Sequence, residues 1–314
     1  MPTGIESLTG IQGEPARARP TQWPRIALIT PVFNSGRYIE QTIRSVLAQN
    51  YPNLDYFIVD GGSTDNTMEV VRKYEGAISG WISEPDQGMY DALNKGFART
   101  RGDVMGWISA TDQLHIGGLS VVGTMFGMFP EVEWITGRRT VFNEQGAMTW
   151  VDPLMRWSRL RFLLGGSNRH IQQESTFWRR SLWEKTGGYV DAGWRYASDF
   201  ELWVRFFRHA QLYTVDSLIG GFREHGDSDS VQQAERFNAR CDALARGELK
   251  EGLGGWLADK FLGMSAAMQA VPKVRFAWYH AKKWMLRALY EIPGPDWPPL
   301  IRYDRIAQDW RMMK

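Results

Sequence analysis

The residues best able to do chemistry are carboxylates set just past short apolar runs. Asp60 follows Tyr56-Phe57-Ile58-Val59 and opens Gly61-Gly62-Ser63-Thr64-Asp65. A parallel strand ending there delivers a side chain to the ligand-binding edge of a sheet. Asp86 and Asp91 flank a second loop, Ser83-Glu84-Pro85-Asp86-Gln87-Gly88, that leads into another helix. Asp112 closes Trp107-Ile108-Ser109-Ala110-Thr111-Asp112, and Asp199 starts an amphipathic run with Phe200, Trp203, Val204 and Phe207. Strand-loop-helix units with acids in their loops describe a site for a polar, metal-associated ligand. That pattern points to an enzyme.

Regular elements must hold these acids in place. Residues 1–23 are rich in Pro, Gly, Arg and Gln and read as a loose arm. Strands are expected at 24–30, 54–59, 78–83 and 104–108, with helices at 38–49, 66–74 and 89–99 between them. Ser63 or Asp65 can cap the second helix. The alternation predicts a mostly parallel sheet with helices on both faces. Pro31-Val32-Phe33-Asn34-Ser35-Gly36 lacks the spaced glycines of a dinucleotide loop, which argues against NAD. Further on, a helix at 119–129, a strand at 133–137, a hairpin over 142–150 and one or two strands within 212–222 are expected. A helix from 232 to about 246 follows. Two more, at 257–270 and 273–290, would form a helical extension over 251–314.

Bulk composition excludes several classes. The 314 residues carry 37 basic and 35 acidic side chains, a net charge of +2 that does not favour nucleic acid. A single cysteine, Cys241, cannot form an internal disulfide and suits a reducing compartment, hence a cytoplasmic location. No run reaches the roughly 18–20 apolar residues of a membrane span, and no secretory signal is visible. The last expected helix sets Val274, Trp278, Ala281, Met285 and Ala288 on one stripe beside Lys273, Arg275, Lys282, Lys283 and Arg287. We read it as peripheral contact with an anionic membrane face. Packing on the catalytic domain or on a second subunit is the alternative.

Thr30-Pro31-Val32-Phe33-Asn34, Asp60-Gly61-Gly62-Ser63-Thr64-Asp65 and Ser83-Glu84-Pro85-Asp86-Gln87-Gly88-Met89-Tyr90-Asp91 occur in order, within a resemblance that covers roughly residues 24–230. Together they resemble the inverting GT-A-type family 2 glycosyltransferases of bacterial polysaccharide assembly. The resemblance implies an α/β GT-A domain over 24–250, with a nucleotide-binding half at 24–112 and an acceptor-side half at 113–250. It implies that Pro31, Asn34, Asp60, Asp86, Asp91, Lys95 and Asp112 surround a nucleotide-diphosphate sugar, with uridine the expected base. Asp199 matches the catalytic base, and Gln173, Glu174 and Trp203 fall on the acceptor side. Asp112 and His225 would hold Mn²⁺ or Mg²⁺. The acceptor implied is a glycan, free or polyisoprenoid-linked. One departure is clear: Ser109-Ala110-Thr111-Asp112 keeps a single carboxylate where relatives carry several, so metal affinity should be weak or dependence partial.

The chemistry stands beside the resemblance. Sugar transfer needs the leaving diphosphate's charge offset and a carboxylate to take the acceptor's proton. A helix N-terminus favours ionised Asp199, as a base requires. Plainer roles remain open: Asp60 as a turn former, Asp65 and Asp199 as caps, Asp112 as a loop residue and His225 as a surface histidine. Arg223 could pair with phosphate or with Glu224. Tyr90 and Trp107 could stack on a ligand or fill the core. Two rivals are a sugar-binding module without catalysis and a nucleotidyltransferase. The second wants a lysine in the first loop, and Thr30 to Gly36 has none.

Overall fold

A computed structural model describes residues 22–164, 170–226, 234–249 and 300–313, with single positions at 271, 277 and 281. The expected helices at 257–270 and 273–290, the loop at 165–168 and most of the N-terminal arm lie outside the described residues.

The chain builds outward from β1 (Ile26–Val32), whose seven residues are all buried. It pairs in parallel with β2 (Leu54–Asp60) on one side and β4 (Val104–Trp107) on the other. A strand paired on both edges and covered on both faces needs a continuous apolar run, and Ile26-Ala27-Leu28-Ile29 supplies it. Helix α1 (Ile39–Leu47) returns the chain from β1 to β2, burying Ile39, Thr42, Ile43 and Val46 at helical spacing. Helix α2 (Thr67–Arg72) then leads to β3 (Gly80–Ser83), parallel to β2. Helix α3 (Met89–Arg99) crosses back toward β4 and packs tightly on β1. A Cβ on Gly96 would lie 2.6 Å from the Ile29 side chain, so only glycine permits that approach.

After β5 (Gln113–Leu114) and α4 (Gly118–Met128), strand β6 (Trp134–Thr136) rejoins the sheet. Strands β7 (Thr140–Phe142) and β8 (Met148–Val151) form the expected hairpin. Helix α5 (Arg159–Leu164) precedes β9 (Thr176–Arg179), which inserts antiparallel between β4 and β6. Then come α6 (Arg180–Lys185), α7 (Ser198–Phe207), β10 (Leu212–Val215), β11 (Gly220–Arg223) and α8 (Ala234–Leu249). At the end of the chain lie β12 (Leu300–Asp304) and β13 (Asp309–Met313). Among the described residues the main sheet has nine strands in the order β13-β12-β10-β6-β9-β4-β1-β2-β3, and β5-β11-β7-β8 form a smaller one.

The last stretch of the chain departs from the expected helical extension. It is not helical throughout, because β12 and β13 extend the main sheet beyond β10. Leu300 and Ile301 are buried against the sheet. Among the described residues no helix is long and apolar enough to cross a membrane.

Candidate functional site

Strand order locates the crevice. From β1 the chain goes one way to β2 and β3, and β4 lies on β1's other side. Ligands of open α/β sheets bind beyond the carboxyl ends of the strands at such a switch point. The loops there are 33–38 after β1 and 108–112 after β4.

The loops after β1 and β2 brace each other. Asn34, held at φ 46°, donates its N–H to Ser63 Oγ at 2.7 Å and accepts from the Thr64 N–H on Oδ1 at 2.8 Å. Asp65 accepts from Thr67 N–H and from Gly36 N–H, both at 3.0 Å, so it starts α2 and clamps the first loop. These bonds hold its carboxyl below the usual range against the effect of burial, the largest single influence. Pro31 is buried in β1.

Asp60 lies at the expected strand end with no exposed surface. Its oxygens accept from Gly62 N–H, Ser63 N–H, Ser63 Oγ–H and Ser83 Oγ–H. Asp60 therefore shapes the turn, and no oxygen is left over to face a base. The next loop is fastened likewise. Asp86 accepts from Gly88 N–H at 2.7 Å and Asp91 from Gln87 N–H at 3.1 Å. Lys95 reaches Pro85 O, Glu84 and Asp91 within 3.1–3.2 Å. Lys95 is thus a brace between loop and helix.

Helix α7 is gripped from two sides. Asn94 of α3 exchanges two 2.8 Å hydrogen bonds with the Val190 backbone. Buried Arg205 pairs with Glu201 and donates to Thr186 O and Tyr189 O, tying the 186–190 loop to α7. Tyr196, two residues ahead of α7, is forced to φ 75°, an uncommon conformation for a bulky side chain. Such strain persists where surrounding structure over-determines it, and it clusters at active sites.

Asp199 is the second residue of α7, with Ala197 at the cap position, so it is not the helix cap. Its Oδ1 accepts from Phe200 N–H at 2.8 Å. Burial raises its carboxyl from 3.8 to about 6, and the neighbouring charge of Glu174 adds to the rise. The expected effect of the helix N-terminus is outweighed: desolvation wins, although a carboxyl titrating near 6 is still mostly ionised at neutral pH. Tyr90 of α3 stands beside it, and its phenol is raised well above 10 by burial and then by the Asp199 charge.

Asp112 and Glu174 form a buried carboxyl pair. Asp112 is 1% exposed and accepts from Arg223 N–H on Oδ1 at 2.8 Å. Burial pushes both carboxyls upward, and the hydrogen bond between them requires a proton on one. Gln173 reaches back to Ser109 Oγ at 3.4 Å. Gly220 lets β11 lie against the Glu174 backbone, since a Cβ there would stand 2.2 Å from Glu174 O. Gly220→Ala should therefore lower stability by about 1–3 kcal/mol. It should also reduce turnover by displacing Glu174, as thermal melts and initial rates would report.

The implied divalent ion can be tested against these donors. Asp112 is enclosed, with one oxygen on Arg223 N–H and its carboxyl bonded to Glu174. At that strand end Ser109 and Thr111 keep exposed surface while Ala110 and Asp112 turn inward. The groups on the open side are hydroxyls, poor ligands beside carboxylates for a hard cation. Among the described residues no group of three His, Cys, Asp or Glu side chains is arranged to hold a metal. The donor set of Asp112 and His225 does not fit a divalent ion.

Comparisons with known proteins address the same segments. The model of Glycosyl transferase family 2 matches residues 27–187, just over half the chain. The chain belongs to glycosyltransferase family 2. It is 31% identical over 216 residues to an uncharacterised glycosyltransferase of Mycobacterium tuberculosis, covering 66% of this chain and 78% of that protein. A PGL/p-HBAD biosynthesis glycosyltransferase of Mycobacterium bovis is 25% identical over 237 residues, covering 71% and 86%. The fold is similar to that of S. aureus TarS 1-349 in complex with UDP-GlcNAc, with a TM-score of 0.61 at 15% identity over 76% of this chain and 70% of that one. A mannosyltransferase from Pyrobaculum calidifontis in complex with GDP-Man and Mn²⁺ gives 0.52 at 16% identity, covering 88% and 89%. The expected α/β GT-A architecture is thereby shown.

Within this family member, Trp203 does not stand at an acceptor surface. It is 1% exposed and stacks on Trp107 and Trp134 at centroid distances of 5.7 and 5.6 Å. Burial of that kind leaves no ring face for a sugar. Its place on the inward stripe of α7, with Phe200, Val204 and Phe207, is the signal in the sequence that marks it as core. Trp107 is likewise core.

Several side chains here lack partners, and two of them, Tyr38 and Ser198, escaped the sequence reading. Among the described residues the buried atoms Gln173 Oε1, Ser198 Oγ, Tyr38 Oη, Arg223 Nη2 and His225 Nδ1 have no hydrogen-bond partner. Buried polar groups are paired as a rule, so an unpaired group calls for a ligand or another explanation. Tyr38 left no clear signal, since at helix spacing it reads as packing.

Proposed function

We propose that this glycosyltransferase moves a sugar from a nucleotide-diphosphate donor to a hydroxyl of a glycan or lipid-linked glycan, with inversion at the anomeric carbon. The observation that carries this reading is Asp199: a carboxylate at the start of a clamped helix, raised to about 6 and mostly ionised at neutral pH. Asp199 takes the acceptor proton as the acceptor oxygen bonds to the anomeric carbon. The bond to the diphosphate breaks in the same displacement, and the nucleoside diphosphate leaves with the electron pair. A single displacement converts an α-linked donor into a β-linked product.

Two described features support the donor side. The crevice lies at the switch point beside β1, and the braced loops at 33–36 and 61–65 form its wall. On the acceptor side, Gln173 and Ser198 present polar atoms suited to sugar hydroxyls. Uridine is the base we favour, and membrane contact through the C-terminal segment is the reading of the basic stripe at 273–288. Incubation with UDP- and GDP-sugars and glycan acceptors, followed by nucleotide release and NMR of the new linkage, tests the proposal. A β-linked product from an α-linked donor is expected. An α-linked product would end the single-displacement mechanism, and release of sugar 1-phosphate with the nucleotidyl group on the acceptor would favour the nucleotidyltransferase reading.

A further inference from the structure

Three of the partnerless atoms belong to one cluster. Tyr38, at the end of the loop after β1, has the His225 ring 4.9 Å from its own. The Arg223 guanidinium lies 5.3 Å from the same ring, and that of Arg37 lies 5.1 Å away. Arg223 has no exposed surface. Its Nε donates to Thr111 O and its Nη1 to Glu144 O at 2.8 Å, which fixes the fork against the 108–112 loop. Nη2 is left free of any partner, as are Tyr38 Oη and His225 Nδ1, among the described residues.

A buried arginine whose second nitrogen is unsatisfied is costly unless something arrives to meet it. The cluster sets a fixed positive charge with a phenol beside it, where Tyr38 of the loop after β1 meets Arg223, which donates to Thr111 O of the loop after β4. Both nearby acids are engaged by donors: Glu144 is paired with Arg37 at 2.9 Å, and Asp112 accepts from the Arg223 main chain at 2.8 Å. Arginine matches phosphate oxygens in geometry and charge. We propose that Tyr38, Arg223 and His225 receive the donor's diphosphate in place of a divalent cation, so that this chain transfers sugar without metal. The proposal rests on the donor reading above. It assigns to protein cations the charge neutralisation that Ser109 and Thr111 cannot supply through a metal.

The test is calorimetric binding of UDP and GDP to the full chain, in EDTA and in Mn²⁺, with Tyr38→Phe and Arg223→Lys variants. Spin resonance of Mn²⁺ reports bound metal independently. Affinity for one diphosphate is expected to be the same in EDTA as in Mn²⁺, with no protein-bound Mn²⁺ signal beyond that of the nucleotide alone. Tyr38→Phe should weaken binding about tenfold with an unchanged melting temperature, because Tyr38 Oη has no partner to lose in the ligand-free chain. Arg223→Lys should weaken it further, but its buried bonds also support the fold, so Tyr38→Phe decides. Binding that requires Mn²⁺, or a Tyr38→Phe protein that binds as the wild type does, overturns the proposal and leaves the donor reading standing. No binding of either nucleotide under either condition overturns both.

Discussion

Asp199→Asn is expected to lower kcat by about 10²–10⁴-fold while donor affinity and the fold are kept. The amide retains an oxygen to accept from Phe200 N–H, so the start of α7 is undisturbed. What it loses is the capacity to take a proton. The wild-type pH profile should show the same group: kcat/KM falls tenfold per pH unit below about 6, where Asp199 becomes protonated. The residual rate of the variant should not change across that range. Stability moves the other way. A carboxyl raised from 3.8 in the unfolded chain to about 6 in the folded one binds its proton more tightly when folded. Its contribution is present below 3.8 and is lost as pH rises to about 6, after which the ionised form costs at most about 3 kcal/mol. Asp199→Asn should therefore melt at or above the wild-type temperature at pH 8, with the gap closing toward pH 4. Wild-type turnover by the variant, or a flat profile between pH 5 and 7, would remove Asp199 from the base role.

The architecture was readable because parallel strands buried on both faces announce themselves as apolar runs and helices as 3.6-residue stripes. β1, α1, β2 and α3 appear within a residue or two of their expected limits. The site was less legible, for a specific reason. Ser109-Ala110-Thr111-Asp112 alternates at a strand end, and composition does not say which pair of side chains faces the crevice. A carboxylate is seldom fully buried, so the sequence favours Asp112 as the exposed ligand. The structure turns it inward because the Arg223 N–H and the Glu174 carboxyl meet it there. Glu174 lies 62 residues on and the Arg223 backbone 111 residues on, and no local pattern announces such partners. Lys95 was missed as a brace because its partners lie on the preceding loop as well as on its own helix. The final strands escaped because their pairing partner, β10, precedes them by some 85 residues, and a proline-rich stretch separates them from the preceding helix pattern.

Trp203→Ala separates a core role from an acceptor role and should be strongly destabilising. The ring lies between Trp107 and Trp134 and meets Trp178 edge-on at 5.6 Å. Its indole N–H has no partner among the described residues, so truncation orphans no acceptor. The cost is that of the cavity and the lost ring contacts, about 3–5 kcal/mol. A loss of that size corresponds to a melting temperature lower by on the order of 10 °C. Because Trp203 belongs to the helix that carries Asp199, kcat should fall along with stability, and Trp203→Phe should recover most of both. An acceptor-binding tryptophan would behave otherwise: its removal would raise the acceptor KM and leave the melting temperature alone. If that second pattern were found, α7 would have to turn its tryptophan outward, and the aromatic stack joining β4, β6 and β9 to α7 would be wrong.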